Sequence, residues 1–555
     1  MQNVLPFGEE ELLREEVAAW EASDSDKGQI YTRTNVVEFM LTIIGLNTPD
    51  EIERARILEP SCGEGEFVVA IVDRLINLPP KRPTVDQLSK QLLAVDLVEN
   101  SLEIAKGKVA LLLEERGYNK LEVSLLLERW FVSTDFLLTQ VTSDFTHIIG
   151  NPPYVRVENI PKTLLREYRR QFSTMTDRAD LYIPFYEKCL SLLVNCGRLS
   201  FICTDRWTKN TYGKSLRELI DHAYGLEVFI DLYGIDAFEK DVLTYPAITQ
   251  FIKGKSDQTI LKHETSFSNE EAKEILSAIE GNSSSLQIRK GIVNGNKPWL
   301  LGSSDQIALI HKLEEKHPLL EKTGCKVFIG AATGANKVYI VDSQMVGTEI
   351  EETRLLPVVT ASELKGGSID WRGKYLINTY DENGVIDLEA YPKLSNYLYS
   401  NKELLCRRHV AKKDMSRWFK TIDRVYETRA KIEKLLIPDI SCDPIVLYDE
   451  GKYHPNNSIY YICSDKWNLH ALRVVLLSNV TKLFISIYST KIANGYFRFQ
   501  AQHLRKLRLP YWEELDNDLQ NRLICAGKSN DTNSFTDLTC EVYDLTEKEK
   551  LIVGI

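Results

Sequence analysis

The chain has no CxxC or CxxH pair; its ten cysteines lie far apart along 555 residues, and the closest three, Cys189, Cys196 and Cys203, are spaced by seven. Structural zinc needs ligands at short spacings, and disulfide frameworks belong to small exported chains. The thiols therefore read as reduced and structural, with no metal implied. Also missing is any apolar run near the roughly 18 residues of a membrane span. The opening residues, MQNVLPFGEEELLREEVAAW, carry acids where a signal peptide needs a basic start and an apolar middle. The expectation is a soluble, cytoplasmic protein with no membrane partner. The glycine segment ILEPSCGEGEF carries neither GxGxxG nor GK[ST], which removes the common dinucleotide and P-loop readings there. Basic residues are in deficit, 68 Lys and Arg against 79 Asp and Glu, so indiscriminate polyanion binding is disfavoured while a local patch stays open. What remains is ordinary globular composition, 43% hydrophobic and 26% charged with 29 Gly and 19 Pro, enough for more than one core.

Residues 28–255 alternate β-like apolar runs with helix-like stretches. RILEPS, QLLAVDL, FTHIIGNPP, GRLSFICT, LEVFIDLY and YPAITQFIK are the strands; FVVAIVDRLINL, NSLEIAKGKVALLLEERG, DLYIPFYEKCLSLLVNC and YGKSLRELIDHAYG space apolar residues by three and four. That order predicts a doubly wound α/β domain over 1–255. Residues 256–300 turn polar and Gly/Ser/Asn-rich and read as a connector with one helix. From 301 to 510 short strands, turns and helices follow no βαβ order, which predicts a separate mixed α/β domain, and 511–555 reads as an acidic helical tail.

Charge concentrates in the second domain. Lys402 to Lys434 holds eleven Lys/Arg against five Asp/Glu, and Lys491 to Arg508 five basic residues against none. Trp418, Phe419, Tyr426, Tyr496, Phe497 and Phe499 interleave with them. Basic side chains contact phosphates and aromatic rings stack on bases or wedge a duplex, so these stretches predict a nucleic-acid surface. Arg407, Arg408, Lys412, Lys413, Arg498, Arg505 and Lys506 are its candidates. The alternative is a solvated helix face beside an apolar strand.

Three strand ends carry chemistry. ILEPSCGEGEF passes from a strand into a helix through Gly63 and Gly65, where backbone can approach a ligand closely, with Glu59 at the strand end. LLAVDL places Asp96 where a carboxylate can accept two ribose hydroxyls. Together in one βαβ unit they favour an adenosine-type cofactor. The third is HIIGNPPYVRV: Pro152 and Pro153 stiffen a turn that presents the Asn151 side chain, the Pro152 carbonyl and the Tyr154 ring at a strand's carboxyl end. The chemistry suits a planar amino group. Its nitrogen lone pair is delocalised, and two oxygens accepting its hydrogens favour a more tetrahedral, more nucleophilic nitrogen; Tyr154 offers a face for the ring to stack on.

With these motifs the chain resembles the S-adenosylmethionine-dependent amino-group DNA methyltransferases of the gamma arrangement, specifically the TaqI-type adenine-N6 enzymes of restriction-modification systems. The resemblance runs from about residue 28 to 510: GQIYTRTNVVEFM, EPSCGEGEF, AVDL, STDFLL and GNPPY are similar to successive catalytic motifs, and IGAATGANKVYIV and NGYFRFQAQHLRKLRLP to landmarks of the specificity domain. It implies a Rossmann-like, doubly wound mixed sheet followed by a target-recognition domain, with S-adenosyl-L-methionine as cofactor and double-stranded DNA as partner. It further implies a monomer acting apart from any cognate restriction endonuclease. By the same resemblance Thr32 and Glu59 hold the cofactor's methionine end, Gly63 and Gly65 shape the loop, Asp96 takes the ribose, Asp135 the adenine amino group, and Phe136 packs on the adenine. Asn151 and Pro152 accept hydrogens from the target N6, and Tyr154 and Phe238 sandwich the flipped base, with Tyr245 a competitor for Phe238. Arg33 stands where a proline is common, and Cys62 departs from the family pattern. The alternatives are an RNA-base or protein-glutamine methyltransferase using the same NPPY chemistry, and a catalytically dead binding protein, which the intact acids, glycines and NPPY oppose.

Overall fold

The computed structural model describes residues 20, 28, 30–142, 144–239, 246–263, 265–282, 285–365, 367–489, 496–529 and 532–554. Two compact units divide at Leu301 and Gly302. In the first, β1 (Ile57–Glu59), β2 (Leu92–Asp96), β3 (Phe131–Ser133), β4 (Phe145–Gly150), β5 (Leu193–Thr204), β6 (Tyr224–Asp231), β7 (Pro246–Lys253), β8 (Gln258–Lys262) and β9 (Ile288–Lys290) form one nine-stranded sheet in the order β3-β2-β1-β4-β5-β7-β6-β8-β9. From β3 to β5 every pairing is parallel; β7 runs antiparallel between β5 and β6, which makes the sheet mixed.

Helices cover both faces, as parallel strands that are apolar on both sides require. On one face α1 (Thr34–Ile43), α2 (Glu66–Asn77), α3 (Glu99–Glu115), α4 (Lys120–Trp130) and, late in the unit, the helix Asn269–Ile279 contribute to one hydrophobic cluster. On the other, α5 (Lys162–Gln171), α6 (Tyr182–Leu192) and α7 (Lys214–Ala223) contribute to a second. The expected doubly wound mixed architecture is therefore present.

The stretch 256–300 corrects the expectation of a connector. It supplies β8, paired in parallel with β6, then Asn269–Ile279, then β9, paired with β8. Its polar composition hid this because β8 has only five residues, and burial of Thr259, Ile260 and Leu261 follows from the edge that β6 offers. Phe267 packs edge-on against Phe39 of α1 at 5.4 Å, and Trp299 against Trp207 at 4.9 Å.

The second unit holds two four-stranded sheets. One orders Cys325–Ile329, Ile459–Ser464, Lys434–Pro438 and Leu447–Asp449; the other Ile340–Asp342, Lys374–Ile377, Leu355–Val359 and His454–Pro455. The terminal helices Asn517–Lys528, Phe535–Val542 and Glu547–Ile552 are integral to it: Arg473 donates to the carbonyls of Gly527 and Ser529, each at 2.9 Å, and Lys312 pairs with Glu549 at 2.8 Å. Among the described residues no single helix is long and apolar enough to cross a membrane.

Candidate active site

The carboxyl ends of β1, β2 and β4 open into a cleft lined by Thr32, Gly63, Asp96, Asp135, Phe136 and Asn151 among others. This is the edge at which open α/β sheets bind ligands, because successive loops diverge there. The loop after β1 turns through Gly65, whose φ of +94° a side chain rarely adopts and whose added Cβ would stand 2.9 Å from the Ala105 Cβ of α3. Its backbone lies close to α3 only because no side chain intervenes.

Asp96 and Asp135 line the cleft and Glu59 lies buried at the end of β1, each held differently. Asp96 accepts from the Gly63 amide and the Val98 amide, both at 2.8 Å, and so ties the glycine loop to the end of β2. Asp135 accepts from the Leu137 amide at 2.8 Å and the Tyr168 hydroxyl at 2.6 Å; burial pushes its carboxyl up while these donors pull it down. Glu59 is 1% exposed, accepts from the Ser61 amide at 3.2 Å and leaves Oε2 without a partner. Burial raises this carboxyl well above its usual range, with Asp96 and Glu66 adding to the rise. A buried carboxylate oxygen with no donor is a site for a cationic or donating ligand group.

Phe136 lies 5.4 Å from Phe185 in a tilted pair, making an apolar wall. Sequence reasoning missed its support. Lys188 of α6 donates to the carbonyls of Phe136, Leu137 and Thr139 and sits 4.7 Å from the Phe136 ring centroid. Burial lowers its ammonium to about 8. A lysine within the largely apolar helical stretch DLYIPFYEKCLSLL was the available signal. Trp20 and Tyr168 also line the cleft and were not anticipated.

Asn151 closes the cleft on the β4 side. Its Nδ2 donates to the Ile30 carbonyl at 2.8 Å and to Thr32 Oγ1 at 3.2 Å, while Oδ1 is buried and has no partner. Two acceptors on one end of the amide settle its orientation, so the oxygen is the atom left for a ligand. Thr32, 2% exposed, thus orients Asn151 as well as lining the cleft. Across this contact Gly28 approaches the NPPY turn: its carbonyl accepts from the Tyr154 amide at 3.2 Å, and an added Cβ would stand 2.4 Å from that nitrogen. Pro153 lines the cleft, and Pro152 precedes it in the same stiffened turn. Tyr154 is half-buried, its hydroxyl 3.3 Å from the Ile202 carbonyl.

Phe238 departs from its expected role. Its backbone bridges to Thr32, but the ring is 5% exposed and belongs to the cluster under α1 and α2, so it offers no face to a planar ligand. Hydrophobic burial has claimed it. Tyr245 lies outside the described residues.

Of the basic candidates in the second unit, three are corrected because their guanidinium groups are engaged in the fold. Arg408 donates to the Thr333 and Trp418 carbonyls at 2.9 and 2.7 Å and to the Tyr339 hydroxyl at 3.0 Å. Arg498 pairs with Asp439 through both nitrogens of one edge, and Arg505 bridges Glu321 at 3.0 Å and the Val327 carbonyl at 2.8 Å. Lys506 stands 4.1 Å from the centroid of the Tyr488 ring. Arg407 makes an exposed pair with Glu403, while Lys412 and Lys413 are exposed and make no ion pair among the described residues. Trp418, Phe419, Phe497 and Phe499 are core residues, so for these aromatics the packing alternative holds.

Comparison with known proteins bears on both units. Residues 90–238 match the family described as Eco57I restriction-modification methylase, and 356–509 match the TaqI-like C-terminal specificity domain. The chain is 41% identical over 543 residues to the Type II methyltransferase M.XhoI of Xanthomonas vasicola, covering 95% of this chain and 99% of that protein. It is 39% identical to the Type II methyltransferase M.PaeR7I of Pseudomonas aeruginosa, covering 97% and 95%. Among solved structures, the Type IIL restriction-modification enzyme MmeI in complex with DNA shares the fold at a TM-score of 0.59 and 14% identity, over 94% of this chain and 72% of that one.

Proposed function

The chain belongs to the Type II DNA methyltransferases of restriction-modification systems, and from that membership we propose that it transfers a methyl group from S-adenosyl-L-methionine to N6 of an adenine turned out of a specific duplex sequence. The observation that carries the choice of an amino nitrogen is the orphaned, buried Oδ1 of Asn151. An acceptor fixed there takes a hydrogen from an exocyclic NH2 and concentrates electron density on its nitrogen, which by itself is a poor nucleophile. The Pro152 carbonyl is suited to take the second hydrogen. No side-chain base is required, because the proton leaves after the nitrogen has become positively charged.

The cleft suits the cofactor. Asp96 would take the ribose hydroxyls, Asp135 with Phe136 the adenine, and the partnerless Glu59 Oε2 would answer the ammonium end; Gly63 and Gly65 would let the loop backbone come close. The cofactor supplies an electrophilic methyl group when bound. Tyr154 gives the extruded base one stacking face, worth roughly 1–3 kcal/mol against an unstacking cost of a few kcal/mol. The specificity-domain match favours duplex DNA over RNA or a protein glutamine as substrate, and the enzyme would protect host DNA from a separate endonuclease of the same specificity.

Expression in a host lacking adenine methylation, followed by sequencing of its DNA for modified bases, tests this directly. N6-methyladenine at one recurrent sequence is expected; an unmarked genome, with label passing to RNA or protein, overturns it. Asn151→Ala should lower kcat at least about a hundredfold. Calorimetric titration should find cofactor affinity close to that of the parent, since this side chain serves the acceptor.

A further inference from the structure

In the second unit the basic stretch is an irregular ridge pinned from below. Arg408 holds its first part by the bonds to Thr333, Trp418 and Tyr339. The Tyr339 hydroxyl donates to the Phe419 carbonyl at 2.5 Å, and that of Tyr380 to the Thr421 carbonyl at 3.1 Å. Asp423 and Ala332 exchange two bonds, amide to carbonyl at 3.0 Å and carboxylate from amide at 2.8 Å. At its far end Lys434, fully buried, pairs with Asp449 at 2.7 Å and donates to the Ala430 and Ile432 carbonyls.

This pinning forces apolar side chains outward. Ile422 is 54% exposed between two bonded neighbours, Thr421 and Asp423, and Gly334, at a φ of +77°, packs so closely that an added Cβ would lie 2.8 Å from Ile422 Cδ1. Met415 is 56% and Tyr426 38% exposed. Arg424 and Arg429 flank the Tyr426 ring at 5.1 and 4.3 Å from its centroid. A collapsed loop would bury these residues, so a rigid one that displays them presents a contact surface.

Within residues 402–429 the charge is one-sided. Glu403 pairs with Arg407, Asp414 with Lys420 and Glu427 with Lys431, while Asp423 accepts a backbone amide. Lys412, Lys413 and Arg417 are exposed and make no ion pair among the described residues. Acids neutralised from within and cations left outward complement a polyanion.

We propose that the ridge from Asp414 to Arg429 enters a groove of the duplex and sets which sequence is modified. Ile422 makes apolar contact with a base edge, Tyr426 supplies a ring beside it, Arg424 is held to the Asp381 and Glu382 carbonyls and braces that ring, and Lys412, Lys413 and Arg417 take phosphates. The inference rests on the reading of the protein as a duplex-DNA methyltransferase and adds the residues that read the sequence.

Full-length Ile422→Ala, Tyr426→Ala and the double variant Lys412→Ala/Lys413→Ala test it, each expressed in a methylation-free host whose DNA is then sequenced. The parent's ratio of modification at its own sequence to that at single-mismatch sequences is the reference. The two ridge variants should lower that ratio about tenfold, with melting temperature and cofactor affinity unchanged. The double lysine variant should keep the ratio, weaken binding to all duplexes and reduce the salt slope by about 1.8. A photo-crosslinking residue at position 422 should join to a duplex carrying the parent's sequence. Unchanged ratios in both ridge variants, or no crosslink, overturn the ridge while the methyltransferase reading stands. A parent that leaves duplex DNA unmarked overturns both.

Discussion

At the level of single residues, the cleft stores unmet interactions. Glu59 carries a carboxyl that burial holds above its ordinary range. The raised folded value means that its unfavourable charge is absent at low pH and appears as pH rises through that value. Glu59→Gln should therefore raise the melting temperature of the ligand-free protein, by a margin that widens toward alkaline pH. The same change should weaken S-adenosylmethionine by at least about tenfold, since a charged acceptor is replaced by a neutral one. Calorimetric scans across pH, with and without cofactor, separate the two effects. Phe238 tests the opposite case, a residue expected at the ligand and found in the core. Phe238→Ala should cost about 3–5 kcal/mol of stability in chemical denaturation. If instead it leaves stability intact and abolishes the fluorescence rise of 2-aminopurine at the target position, the ring leaves the core during the reaction.

Among elements, the strand-to-helix turn after β1 carries the tightest constraint. Gly65 combines a left-handed backbone with a 2.9 Å approach to Ala105, so Gly65→Ala meets strain and a steric clash together. It should destabilise the protein by about 1–3 kcal/mol and lower cofactor affinity, because α2 and α3 must separate to admit the methyl group. Denaturant melts and cofactor titration check this; a variant with normal affinity would show that the loop's approach to α3 is dispensable. These constraints are local and were legible as Gly-x-Gly between an apolar strand and an amphipathic helix. The Lys188 clamp on the Phe136–Thr139 turn was not, since its partners are backbone carbonyls 49 to 52 positions away.

For the whole molecule, the boundary of the catalytic unit lies later than composition suggests. A fragment ending at residue 255 loses β8, β9 and the helix Asn269–Ile279, which exposes the β6 edge and uncovers Phe39. A fragment ending at 301 keeps them. The shorter piece should therefore aggregate or melt at a lower temperature, while the longer one should bind S-adenosylmethionine as the full chain does. Equal behaviour of the two would mean that the last strands add no stability. The net charge of −11 does not oppose a DNA partner, because the field that matters at a contact is set within about a Debye length by the outward cations of the second unit.

The sequence by itself determined the alternation of strands and helices, the glycine turn, the strand-end acids and the NPPY turn, because each depends on neighbours a few residues away. Phe238 and Arg408 show where that reach ends. An aromatic ring and a guanidinium look available in any linear reading, and only packing decides that one fills a core and the other ties three distant segments together. The orientation of the Asn151 amide is likewise a tertiary decision. Its two acceptors lie on a segment about 120 residues earlier, and their placement leaves the oxygen as the atom without a partner.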